Sequence, residues 1–151
     1  MGTESIQPKS KTLHRIYESY GVFLNVLNGE DANTLYQGQG VYISANNSVK
    51  AKTLGSQFAI GVVHVGNAAG EELSVRANIL CDSLAKAIGG NLAAATLVRY
   101  NGNRNSTTGV PEVVAAADGE YADAIVFSGG NANDEIRILV LKSQIKIGTG
   151  S

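Results

Sequence analysis

The sequence predicts a mainly β protein: a small barrel or sandwich with two similar strand–turn–strand units and one short helix. Three observations lead there. Short apolar or alternating segments recur along the chain. Turns rich in Gly and Asn separate them. One such unit also matches another one 63 residues further on.

The first residues, up to about 20, are rich in Ser, Lys, Thr and Gln and read as an N-terminal arm. From Leu13 the pattern is double. Leu13, Ile16, Tyr17 and Tyr20 fall at helical spacing, whereas residues 22–27 read as a strand. Asn28-Gly29-Glu30-Asp31 is a turn. Residues 21–151 then read as a single β domain. Its strands are expected at 41–44, 49–53, 58–65, 72–80, 96–100, 112–116, 121–128 and 135–141, with a short alternating segment at 145–147. Gly38-Gln39-Gly40 reads as a β-turn and Asn101-Gly102 as a hairpin turn. One segment departs from the β pattern. Asp82 or Ser83 is placed to cap a short helix over residues 84–88, which Gly89-Gly90 would stop.

The internal match runs without gaps from Phe58 on Tyr121 to Ala77 on Val140, within a pseudo-repeat of about 40–80 and 92–141. Gly66 falls on Gly129, Ala69 on Ala132, Glu72 on Glu135, and Val63 on Val126. Alternate residues of a strand face opposite sides. In both units one face is small: Ala59, Gly61, Val63 and Val65 in the first, Ala122, Ala124, Val126 and Ser128 in the second. Small residues suit the crowded interior of a narrow barrel.

Composition narrows the function. The chain has 12 Lys and Arg against 13 Asp and Glu, a net charge of −1, and only 17% charged residues. About 25% is usual, so much of the surface is neutral, as on a protein partly covered by partners. The basic residues are scattered, which argues against nucleic acid as a partner. No stretch is long and apolar enough to suggest a membrane span, and no apolar leader is evident at the N-terminus, so synthesis in a cytoplasm is expected.

The residues of chemistry are sparse. No cluster with metal-ligand spacing and no catalytic constellation is evident, so no metal, cofactor or enzyme activity is expected. His64 lies mid-strand, where the other unit has Phe127, and reads as a half-buried packing residue. Cys81 would precede the short helix. Asp82 beside it disfavours a thiolate, so a structural thiol is expected.

The segments Gly40-Val41-Tyr42-Ile43, Phe58-Ala59-Ile60-Gly61-Val62-Val63, Glu72-Leu73-Ser74-Val75-Arg76-Ala77 and Asn91-Leu92-Ala93-Ala94-Ala95-Thr96-Leu97-Val98 give the chain, over roughly residues 35–141, an order of elements that resembles the small β-rich head decoration (cement) proteins of tailed bacteriophages. The resemblance implies a structural protein that binds the outside of a phage capsid and stabilises it. Its partners would be the major capsid protein and further copies of itself, as a homo-oligomer and typically a trimer. It would be made in the host cytoplasm and reside on the virion. Leu13, Arg15, Tyr17 and Tyr20 are the candidate capsid or subunit contacts. A reading from another class is a carbohydrate-binding or adhesin module, motivated by the six Tyr and the Asn-rich stretch 101–105, and weakened by the absence of Trp.

Overall fold

Alternation builds most of the strands. In Glu72–Ala77, Leu73, Val75 and Ala77 are buried while Glu72, Ser74 and Arg76 are not. That period of two is the signature of a strand with one face on a core. The computed structural model describes residues 22–77 and 81–148, so the arm expected over 1–20 lies outside the described residues.

Ten strands follow in order among the described residues: β1 (Val22–Asn28), β2 (Gly40–Ala45), β3 (Ser48–Ala51), β4 (Ala59–Val65), β5 (Glu72–Ala77), β6 (Cys81–Ala87), β7 (Leu97–Arg104), β8 (Pro111–Ala115), β9 (Tyr121–Ser128) and β10 (Glu135–Lys146). They close into two five-stranded barrels. The first has the order β1-β3-β2-β4-β5 and the second β6-β8-β7-β9-β10. Strand for strand the two orders are the same. In each, the first strand runs parallel to the third over a short stretch, Leu27↔Ser48 and Asn28↔Val49 in one and Lys86↔Glu112 and Ala87↔Val113 in the other. Its other edge pairs antiparallel with the fifth strand, Leu27↔Glu72 and Lys86↔Glu135. Among the described residues, closure leaves no free sheet edge.

The correspondence reaches the connections. After the first strand the chain crosses the barrel end and buries one leucine there, Leu35 in the first barrel and Leu92 in the second. Isolated bridges hold these crossings, Leu35↔Asn67 and Leu92↔Gly130. A Cβ on Gly66 would collide with the Leu35 carbonyl, and one on Gly129 with the Leu92 carbonyl. The glycines that align in the sequence are therefore the ones that let the crossing approach the sheet.

The small faces point inward. Ala122, Ala124 and Val126 are buried in the second barrel, and Ala59 and Val63 in the first. The alternation then breaks at the same place in both. The pairing shifts between Val63 and Val65, and again between Val126 and Ser128, so that Val65 and Ser128 emerge outward. His64 and Phe127 are the extra residues of these bulges.

The expected helix over 84–88 is corrected to strand β6. Ala85 and Ala87 are buried in the second core, while Asp82 and Leu84 face out. Six ladder pairs with β10 fix this register. Burial of alternate alanines and a complete ladder outweigh the weak helical preference of Leu, Ala and Lys. Asn101-Gly102 is likewise not a hairpin turn. It lies within β7, where Gly102 takes a φ of 90° and a Cβ there would meet Thr53 of the first barrel. The β7–β8 connection comes later, with Asn105 Oδ1 accepting the N–H groups of Thr107 and Thr108.

The barrels meet along a seam. Tyr100 packs on Gly40, and Val62, outward from the first barrel, joins the core of the second. Main-chain and side-chain bonds cross the same seam. Tyr121 N–H donates to Gly55 O at 2.8 Å, and Ala59 N–H to Gln144 Oε1 at 3.0 Å. The Lys52 ammonium meets Asp123 Oδ1 at 3.1 Å and the Tyr121 carbonyl at 2.9 Å.

Candidate protein-contact faces

The equivalent outer faces of the two barrels each carry an aromatic ring beside an arginine. On the first, β1, β5 and β4 place Phe23 opposite Arg76 and Leu27 opposite Glu72. The Arg76 guanidinium lies 5.3 Å from the Phe23 ring centre, and His64 stands edge-on to the same ring at 5.0 Å. Phe23 is 48% exposed, and Leu27 further along β1 and Val65 on β4 are exposed too.

On the second barrel, β6, β10 and β9 place Leu84 opposite Arg137. The bulge residue Phe127 is 62% exposed. The Arg137 guanidinium lies 4.8 Å from its ring centre and holds Asp82 through both carboxylate oxygens, at 2.7–2.9 Å. That hydrogen bonding, with the charge of Asp82, raises the Arg137 pKa, so the cation persists at every working pH. A ring capped by a guanidinium is preorganised for a partner, because both side chains are already ordered before contact.

A third apolar group lies where the barrels adjoin. Phe58 meets the Tyr121 ring at 5.3 Å and 85°, and Lys146 reaches over Tyr121 at 5.6 Å. Leu54 and Ile145 are exposed nearby in sequence to these residues. Isolated exposed apolar side chains are ordinary, but each barrel groups an aromatic ring with a cation on its outer face, at different positions of the shared fold, since Arg76 falls on Leu139 and Phe23 on Asp82.

Among the described residues, no group of three or more His, Cys, Asp and Glu gathers as a metal site would require. Cys81 opens β6 and packs against the second core, and burial raises its thiol pKa, with the Arg76 charge opposing and Asp82 adding. The thiol form is favoured, which suits packing rather than nucleophilic chemistry. His64 is half-buried against Phe23, on the outer face rather than in a core. Leu13, Arg15, Tyr17 and Tyr20 lie outside the described residues.

The sequence reading did not single out Phe23, Arg76, Phe127 or Arg137. One signal pointed toward them: His64 and Phe127 fall on each other in the internal match, on the face opposite the small residues. The bulge re-aims the next residue, Val65 or Ser128, which plain alternation would place inside.

No family model matches the chain, and no curated protein matches it. A solved structure does: the head fiber gp8.5 N base in bacteriophage phi29. Its TM-score is 0.54 at 8% sequence identity, covering 83% of this chain and 98% of that one. At that identity the likeness is one of fold.

Proposed function

We propose that the protein is a structural component of a phage head that binds the outside of the capsid as a homo-oligomer, a trimer, and stabilises the shell. The observation that carries this reading is the likeness in fold to the phi29 head fiber N base, which spans nearly all of that chain. The aromatic–arginine groups, one on each barrel, support it, since a block with two such faces is able to touch two neighbours at once. Symmetric assembly would multiply weak individual contacts into tight attachment. Binding the mature lattice would stabilise that lattice by mass action. Residues 1–20, with Leu13, Arg15, Tyr17 and Tyr20, supply part of the contact.

The test is co-sedimentation of the purified protein with capsids of the phage whose genome encodes it, stripped of this protein, alongside light scattering of the free protein. A trimer that sediments with capsids and raises their melting temperature is expected. Removal of residues 1–20 should weaken attachment and leave the β-rich circular dichroism spectrum unchanged. A monomer that stays in the supernatant would overturn the reading.

A further inference from the structure

Lys52 and Asp123 are out of place in a barrel. Lys52 donates its N–H to Gly40 O, and the matching donor in the second barrel is Ala116, to Leu97 O. Asp123 falls on Ile60 in the internal match. Where one barrel has an apolar residue the other has a charged one, and the two charged residues face each other across the seam, 0% and 3% exposed.

We propose that Lys52 and Asp123 condense to an isopeptide bond that ties the two barrels together covalently. The reacting groups are already in contact, Nζ to Oδ1 at 3.1 Å, and both are held from a second side. Nζ–H donates to Tyr121 O at 2.9 Å, and Tyr100 N–H donates to Asp123 Oδ2 at 3.0 Å. In water such a pair does not condense. The amine is protonated, the carboxylate repels a nucleophile, and solvent reverses the reaction. Burial changes each of these. Desolvation lowers the Lys52 pKa and raises that of Asp123, in each case against the pull of the partner's charge. Both directions favour the neutral amine and the neutral acid.

The step balances without any co-reactant. The Nζ lone pair attacks Cγ of the protonated Asp123, forming the C–N bond. Negative charge moves onto Oδ2, where the Tyr100 N–H receives it as an oxyanion donor. Oδ1, carrying the acid proton, takes one proton from Nζ and departs as water when the Cγ–Oδ1 bond breaks. The product is a neutral secondary amide, with nothing oxidised or reduced. Two barrels hold the reactants at fixed positions, so the reaction has the advantage of an intramolecular one. The product also removes a buried ion pair, whose desolvation is costly.

The test is the mass of the intact, unmutated chain after folding and prolonged incubation. A mass lower than that of the sequence by one water is expected. Trypsin should then leave the bond after Lys52 uncut and yield a branched species joining residues 51–76 to residues 105–137. A cyclic imide at Asp118-Gly119 would lose the same mass. It would sit in an unbranched 105–137 peptide, reopen in mild alkali, and count against the proposal. Lys52→Arg should abolish the branched species. The full sequence mass with normal cleavage after Lys52 would mean an ion pair only and would overturn the proposal, whether or not the variant folds. That result would leave the virion reading untouched, since attachment to capsids is measured separately.

Discussion

His64 and Phe127 occupy the same position in the two barrels, each the extra residue of a bulge after which Val65 and Ser128 turn onto the outer face as well. One ring meets Phe23 and the other Arg137. The bulges thus widen the outer face at the same place in both barrels.

Substitutions on those surfaces should separate binding from folding. Phe127→Ser and Phe23→Ser remove exposed rings, so stability should change by no more than about 0.5 kcal/mol. Aromatic anchors beside arginine are the usual hot spots of interfaces, and truncating one costs about 2 kcal/mol or more of binding. Attachment to capsids, or self-association, should therefore weaken at least tenfold at unchanged melting temperature. Binding that survives both substitutions would move the interface elsewhere.

The crossings over the barrel ends should be intolerant of a single methyl group. Gly66→Ala and Gly129→Ala drive a Cβ into the Leu35 and Leu92 carbonyls, so each should destabilise by about 1–3 kcal/mol. Gly70 offers the contrast. A Cβ there meets open space, and its φ of 83° is matched by Asn133 at 72° in the other barrel. Asn tolerates this conformation, so Gly70→Asn should stay within about 0.5 kcal/mol of the parent. Urea denaturation of the three variants checks the contrast.

Strain should be relieved at Ala95. Its N–H bonds Val126 O just as that of Gly38 bonds Val63 O, yet Ala95 holds a φ of 71° with a Cβ. The left-handed conformation costs a non-glycine residue about 1–2 kcal/mol. A glycine in turn loses more chain entropy on folding. Ala95→Gly should leave a net gain of about 0.5 kcal/mol, read as a higher urea midpoint with unchanged slope.

Most of the strands were legible in the sequence because burial on one face writes a period of two. Leu73, Val75 and Ala77 show it plainly, as do Ala122, Ala124 and Val126. β6 was not legible, since Leu84, Ala85, Lys86 and Ala87 are all good helix formers and only the ladder to Glu135 and its neighbours decides against the helix. Closure into two barrels was hidden for a similar reason. It depends on the parallel pairs Asn28↔Val49 and Ala87↔Val113, which link distant segments and leave no local pattern. The contact faces rest on side chains brought together from three strands, which one-dimensional spacing does not reveal.

Tyr100 carries a buried hydroxyl that has no hydrogen-bond partner among the described residues. Its ring packs against Gly40 in the seam, and burial raises the phenol's pKa, helped by the charge of Asp123. A buried unmet donor costs about 1–3 kcal/mol relative to a satisfied one. Tyr100→Phe keeps the ring and should be neutral or stabilising by up to about 1 kcal/mol. Tyr100→Ala opens a cavity and should cost about 3–5 kcal/mol. A loss on Tyr100→Phe as large as that on Tyr100→Ala would show that the hydroxyl has a partner.

Acid should weaken the fold through Glu120. Partial burial pushes its carboxyl up, but the Ala117 N–H and the Arg99 guanidinium bind the ionised form and hold the pKa below the ordinary glutamate value. A carboxyl whose pKa is lower in the folded chain releases its proton more readily there. Its contribution to stability is complete above the unfolded pKa and is lost as pH falls through the folded one. Comparing the parent with Glu120→Gln isolates the effect. Near neutral pH the variant should be less stable by about 0.5–1 kcal/mol, a small figure because the Arg99–Glu120 pair is partly solvated. Below the ordinary carboxylate range the two stability curves should converge, and a gap that persists unchanged into strong acid would assign the loss to packing instead.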